Sequence, residues 1–335
     1  MKRQYHALLA AVSLQLTMLA GTAAESASQL LFGFAIEGKP NRSDLKSLEK
    51  ATGIQGRLTE FYLQWPSKPE DGVFPRATLA AIEMAGALPV LTWEPMFIDS
   101  AKTEHTIGAG SIISGKYDGY LERFARESRQ FAKPFLIRFA HEMNLARYHW
   151  GGTPQEFGAE SPVRYQAIFR HVIAVFRAQK ANNVRWVFCP NVDSIPEAPW
   201  NQIASYYPGD DVVDVIGLDG YNWGTTQTRA ANGWESQWRS FQAIFAGPLE
   251  ELKRVASGKP AAVFETSSAS QGGSKETWVL EALDSAKSLG LAAVVWFEVN
   301  KEIDWRLETN VSAALRATIK LENPSTPWTS SLLSR

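Results

Sequence analysis

Eight short apolar runs punctuate the chain: Leu31 to Ile36, Gln55 to Tyr62, Leu88 to Trp93, Phe135 to Ala140, Val184 to Cys189, Val212 to Leu218, Ala261 to Phe264 and Ala292 to Val299. Several are nearly continuous in Val, Ile, Leu and Phe, the pattern of strands buried on both faces of a parallel sheet. Between them the apolar positions change to a helical period, as in Leu121, Phe124, Ala125, Ser128 and Phe131, and again in Tyr165, Ile168, Phe169, Val172, Ile173 and Phe176. Gly53, Gly86 and Gly290 stand where such helices should end. Strand alternating with helix eight times within about 300 residues predicts an α/β fold, a (β/α)8 TIM barrel rather than an open doubly wound sheet. No linker, repeat or low-complexity stretch divides it, so residues 25–335 are expected to form one domain.

The first residues have a different pattern. Lys2 and Arg3 precede an apolar run from Ala7 to Ala20 and small residues through Ala24, which predicts an export signal over 1–24. The run is shorter than the ~20 residues needed to cross a bilayer, so no membrane span is expected and the product is predicted to be secreted or periplasmic. Cys189 is the only cysteine, which excludes an intrachain disulfide. Lysine plus arginine (34) nearly balance aspartate plus glutamate (35), without the basic excess of a nucleic-acid surface. The 12 tryptophans are numerous enough that some should line a site, and flat indoles suit the apolar faces of sugar rings.

Barrels of this kind carry their chemistry at the C-terminal ends of the strands. Those ends hold the unusual residues here: Trp93-Glu94-Pro95, His141-Glu142-Met143-Asn144, Asp219-Gly220-Tyr221-Asn222-Trp223 and Glu265-Thr266-Ser267, with Trp296 on the last strand. The aperiodic stretch from Met143 to Pro162, with Tyr148, His149 and Trp150, exceeds ordinary connection lengths and reads as a functional loop. Alternation along the fourth strand puts Arg138, Ala140 and Glu142 on one face. Glu265 ends a buried apolar strand, where a charge must be paired or functional. Two carboxyls at one barrel mouth suit glycoside hydrolysis; a structural salt bridge for each is the alternative.

Other chemistries find little support. His141-Glu142 lacks the second histidine of a His-Glu-x-x-His zinc helix, because position 145 is Leu, and the five histidines are scattered. Neither metal nor cofactor is expected. Ser267 and Ser268 have no Gly-x-Ser-x-Gly elbow, and Cys189 reads as a small buried residue. Trp186 and Trp278 read as core. Trp93, Trp150, Trp223 and Trp296 are candidates to contact ligand, and Asp210, Asp211, Asp214 and Asp219 read mostly as turn or helix-end residues.

The stretches RFAHEMN (138–144), WVFCPN (186–191), YYPGDDVVDVIGLDGYNWG (206–224), KPAAVFETSS (259–268) and DWR (304–306) resemble glycoside hydrolase family 26, the family of many β-mannanases and some β-1,3-1,4-glucanases and β-1,3-xylanases. The resemblance implies a retaining endo-β-glycanase acting on a polysaccharide, with Glu142 as acid/base and Glu265 as nucleophile. It also implies that Arg138, His141, Tyr221, Trp93 and Trp296 shape the subsite around the cleaved bond, with Tyr221 bonding the nucleophile; Asn144, Trp150 and Trp223 are further substrate-binding candidates. After His-Glu-Met-Asn the family usually continues with an aromatic-rich run, whereas Leu145, Ala146 and Arg147 stand here. Mannan, the family's commonest substrate, is the first expectation, followed by mixed-linkage glucan or another exopolysaccharide. A barrel that only binds glycan, or one that serves exopolysaccharide assembly, is the non-enzymatic alternative.

Overall fold

The structure is a computed structural model that describes residues 30–320 and 332–333; the export signal expected over 1–24 lies outside them. Among the described residues the strands are β1 (Leu31–Ala35), β2 (Leu58–Gln64), β3 (Leu88–Glu94), β4 (Met96–Ile98), β5 (Glu104–Thr106), β6 (Phe135–Phe139), β7 (Val184–Phe188), β8 (Val215–Asp219), β9 (Ala261–Thr266) and β10 (Ala293–Phe297). All but β4 and β5 close into one parallel barrel in the order β1-β10-β9-β8-β7-β6-β3-β2. The helices are α1 (Arg42–Thr52), α2 (Arg76–Met84), α3 (Ala109–Ile113), α4 (Asp118–Phe131), α5 (Ser161–Ala178), α6 (Arg229–Asn232), α7 (Phe241–Val255), α8 (Lys275–Ser288) and α9 (Thr309–Lys320). No helix of the described residues is long and apolar enough to cross a membrane.

Local sequence explains where the helices start and stop. The Asn41 side chain caps α1 and the Asp44 carboxyl returns a bond to the Asn41 backbone, a reciprocal box that stabilises a helix start by about 1 kcal/mol. Gly53 then ends α1 in the left-handed conformation. The buried residues of α5, from Tyr165 to Phe176, recur at helical spacing and face the barrel.

Alternation sorts the strand residues into two layers. Leu58, Leu88, Leu136, Val187, Val215 and Val295 fill the barrel interior, while Phe61, Leu91, Ile137, Phe188, Ile216 and Val294 pack under the helices. Two departures from this alternation shape the mouth. On β9, Val263 pairs with Leu218 and Glu265 with Asp219, so one step on β8 spans two on β9; the same slip appears against β10. This bulge lets Phe264 fill the interior and Glu265 also turn inward. At the end of β6, Ala140 (φ 49°) and Glu142 (φ 50°) both adopt the left-handed conformation, which is unfavourable for residues with a Cβ. The chain thus leaves the strand after Phe139, and these two turns, rather than the expected strand alternation, set the direction of Glu142.

Candidate active site

The lowest polar layer of the barrel is built around Arg138, which is fully buried. Its guanidinium bonds Glu265, Asp219 and Glu60 (2.6 Å), and its Nε donates to Thr92 Oγ1 at 2.8 Å. Thr92 in turn donates to Glu60 Oε1 at 2.5 Å. One cation thus serves three carboxyls, and burial of unbalanced negative charge favours proton uptake. Burial, with Glu265 nearby, pushes Glu60 up to about 8 against the opposing pull of Arg138, and Asp219 also rises well above its ordinary range. Asp219, one of the four aspartates read mostly as turn or helix-end residues, is a buried partner of Arg138 and of the Cys189 thiol, which donates to it at 3.2 Å.

Above this layer the two glutamates of the resemblance have unlike surroundings. Glu265 accepts from Arg138 and from the Tyr221 hydroxyl at 2.5 Å. Glu142 accepts from Asn191 Nδ2 at 2.5 Å, and burial together with the charge of Glu265 pushes it up to about 7. Burial, with the nearby Arg138, Lys301 and Arg147 cations, holds the buried His141 ring well below its ordinary value, and its Nδ1 has no hydrogen-bond partner among the described residues. Tyr62, from β2, faces His141 edge-on at 6.5 Å, and its buried hydroxyl lies near Glu265 without meeting a partner in hydrogen-bonding geometry.

The other candidates divide into those at the mouth and those behind it. Tyr221 and half-buried Trp223 are at the mouth, with Trp305 against both at 4.9 Å. Trp93 is a correction. Thr92 and Glu94 face inward, so Trp93 faces the helices, fully buried, its Nε1 donating to Tyr120 at 3.1 Å and its ring stacked on Phe124. Trp296 is another, for the same reason: Val295 and Phe297 fill the barrel, which turns Trp296 outward against Trp278 of α8. Trp150 lies behind His141, donating from Nε1 to its carbonyl and stacking on Tyr148, so it supports the site without lining it. Asn144 is fully buried and ties two loops, bonding the Asn191 backbone at both N and O and the Asp193 carbonyl, so it too acts from behind. Arg138 reaches no surface and can act on a ligand only through the carboxyls it holds.

The sequence reading left several contributors unassigned. Trp305 is fixed by Lys275, whose ammonium donates to the Trp305 and Arg306 carbonyls at 3.1 and 2.7 Å. It lay inside the DWR stretch, but nothing in its spacing distinguished it from Trp296. Glu60 was discernible as a charge facing inward two residues after Leu58. The β4–β5 hairpin was not expected; its Glu104 pairs with Arg147 at 2.7 Å, and Thr106 bonds His149 at 2.9 Å, so it braces the loop after Glu142.

The family model described as Glycosyl hydrolase family 26 matches residues 99–259, which include Glu142 and Tyr221. Endoglucanase H of Acetivibrio thermocellus is 34% identical over 292 residues, 85% of this chain and 30% of its own length. The mannan endo-1,4-beta-mannosidase A and B of Caldalkalibacillus mannanilyticus is 33% identical over 89 residues, covering 26% of this chain and 16% of its own. This chain therefore spans less than a third of these curated relatives. The catalytic domain of the Bacillus sp. JAMB-750 GH26 endo-beta-1,4-mannanase superposes with a TM-score of 0.64 at 17% identity, covering 92% of this chain and 91% of its own. The Bacteroides ovatus GH26 beta-mannanase superposes with a TM-score of 0.60 at 16% identity, covering 92% and 94%. The likeness to these structures agrees with the closed eight-stranded barrel, and the family match assigns residues 99–259 of this chain to glycosyl hydrolase family 26.

Proposed function

We propose that the chain cleaves the backbone of a neutral β-linked polysaccharide by a retaining double displacement. The observation that carries this reading is the unlike surroundings of two inward-facing carboxyls. Glu142, raised to about 7, keeps a large share of its proton near neutral pH with one amide donor, whereas Glu265 is fixed by two donors, Arg138 and Tyr221. In the first step a Glu265 oxygen bonds the anomeric carbon while Glu142 gives its proton to the departing glycosidic oxygen. In the second, Glu142 takes a proton from water, the water oxygen bonds the anomeric carbon, and Glu265 leaves. Arg138 and Tyr221 hold Glu265 in line through both steps.

The names of the relatives put β-mannan and β-glucan first as backbones. The relative that aligns along 85% of this chain is called an endoglucanase, and those called mannan endo-1,4-beta-mannosidases align along 26% and 38%. An acidic polymer fits less well. Carboxyls crowd the mouth, and Arg147 is engaged by Glu104 and lies over the Tyr148 ring at 4.9 Å. With the export signal expected over 1–24, the reaction would take place in the periplasm or outside the cell.

A screen of new reducing ends on mannan, glucomannan, lichenan and β-1,3-xylan tests the proposal, with the first-formed anomer followed by NMR. Hydrolysis with retained configuration is expected. An inverted first product would refute the double displacement, and binding without turnover on every polymer would leave a glycan-binding barrel instead.

A further inference from the structure

On the β2–β3 side, inward-facing residues continue outward beyond the layer that holds the nucleophile. The alternation that turns Glu60 inward also turns Tyr62 and Gln64 inward, and the alternation through Thr92 does the same for Glu94. Gln64 and Glu94 are register partners at the last step of their strands, and Gln64 Nε2 donates to Glu94 Oε2. Glu94 is a carboxyl only 5% exposed, yet its Oε1 receives no hydrogen bond from any described residue. The Gln64 amide oxygen is likewise without a donor among the described residues. Glu94 is thus a largely buried carboxyl at the rim of the mouth, with one oxygen fixed by the part-buried Gln64 amide and the other left for a donor from outside the chain.

We propose that Gln64 and Glu94 form a hydroxyl-binding subsite for a sugar ring of the polymer on the β2–β3 side, the two free acceptor oxygens receiving hydroxyls of that ring. Gln64 fixes one Glu94 oxygen and leaves the other for ligand. Two adjacent acceptors suit a neutral, unsubstituted pyranose, which offers vicinal O–H donors. They reject a ring that carries a carboxylate or an ester at those positions, because it brings a second acceptor and no proton.

The inference rests on the proposed polysaccharide substrate, and calorimetry keeps the two separable because it needs no turnover. Mannohexaose and a mixed-linkage glucan hexasaccharide are titrated into wild type, Glu94→Gln, Glu94→Ala and Gln64→Ala, with thermal melting run alongside. The better oligosaccharide should bind Glu94→Ala about 10- to 100-fold more weakly. Glu94→Gln, which keeps an acceptor, should lose less, and Gln64→Ala, which frees the carboxyl to rotate, about 3- to 10-fold. A folded Glu94→Ala variant with wild-type affinity overturns the subsite. If that variant does not fold, wild-type affinity in Gln64→Ala overturns it instead. A wild-type protein that binds but never cleaves refutes the hydrolase reading and leaves this subsite standing; one that binds neither oligosaccharide overturns both.

Discussion

The two sides of the barrel mouth are built on opposite principles. On the β2–β3 side, inward-facing polar groups keep hydrogen-bonding capacity unused among the described residues: the Tyr62 hydroxyl and the free oxygens of Gln64 and Glu94. On the β8–β10 side the polar groups are engaged. Tyr221 donates to Glu265, and Trp305 Nε1 reaches Glu302 at 3.3 Å. What this side presents is aromatic. Tyr221 and half-buried Trp223 rest against the buried Trp305, and Trp223 meets exposed Trp234 edge-on at 5.6 Å. A polymer passing between Glu142 and Glu265 would be read through its hydroxyls on one side and through ring faces on the other. Hydroxyl contacts discriminate sharply because an unmatched buried acceptor is costly, whereas stacking tolerates any sugar with an apolar face.

The largest expected effects are at the carboxyls between the two sides. Glu265→Ala should lower kcat by at least ~10^4 on every substrate, since no bond to the anomeric carbon can form. Glu142→Ala should lose about 10^2- to 10^4-fold on polymer but be spared on aryl glycosides with good leaving groups, and azide should restore turnover. Steady-state rates on both substrate types decide this, and equal behaviour of the two variants would break the assignment.

The next test separates tryptophans at the mouth from those beneath the helices. Trp296→Ala should destabilise the fold by about 3–5 kcal/mol, the cost of emptying a large core site. Trp223→Ala should leave the denaturation midpoint nearly in place and raise KM about tenfold, as a lost stacking face does. Urea denaturation with parallel kinetics reads both. If the two variants exchanged behaviours, the aromatic side of the comparison would be misplaced.

Glu60, Glu94, Glu142 and Glu298 are raised from 4.5 to about 8, 7, 7 and 7, so the folded chain binds more protons than the unfolded chain between those values. Their contribution to stability is full below about pH 4.5 and is lost as pH rises through 7 to 8. The melting temperature should therefore fall from pH 5.5 to 8.5, and Glu60→Gln should flatten the fall. A melting temperature that rose over that range would contradict the burial of these groups. The smallest effect is in the rate. kcat/KM on polymer should decline above about pH 7 as Glu142 loses its proton, and that limb should vanish for Glu142→Ala on aryl glycosides.

The sequence by itself determined the barrel and its contents. Eight apolar runs with helical periods between them leave few other ways to bury both faces of every strand, and all eight became barrel strands. The motifs at the strand ends located both glutamates and Tyr221, because a charge closing a buried strand stands out against its neighbours. Direction was decided only in three dimensions. Alternation correctly turns Glu60 and Glu94 inward, but it would have turned Glu265 away from the mouth had the β9 bulge not inserted one residue. It gave no hint that left-handed turns at Ala140 and Glu142 would aim the second carboxyl. For Trp93 and Trp296 alternation was available and pointed outward, yet their place at strand ends suggested the mouth. An indole is equally suited to a sugar ring and to a helix, so composition could not distinguish the two; the side of the strand on which the ring lies does. The bulge and the two turns depend on neighbouring strands and on the Arg138 cluster to hold them, and such long-range support leaves no periodic trace in the chain.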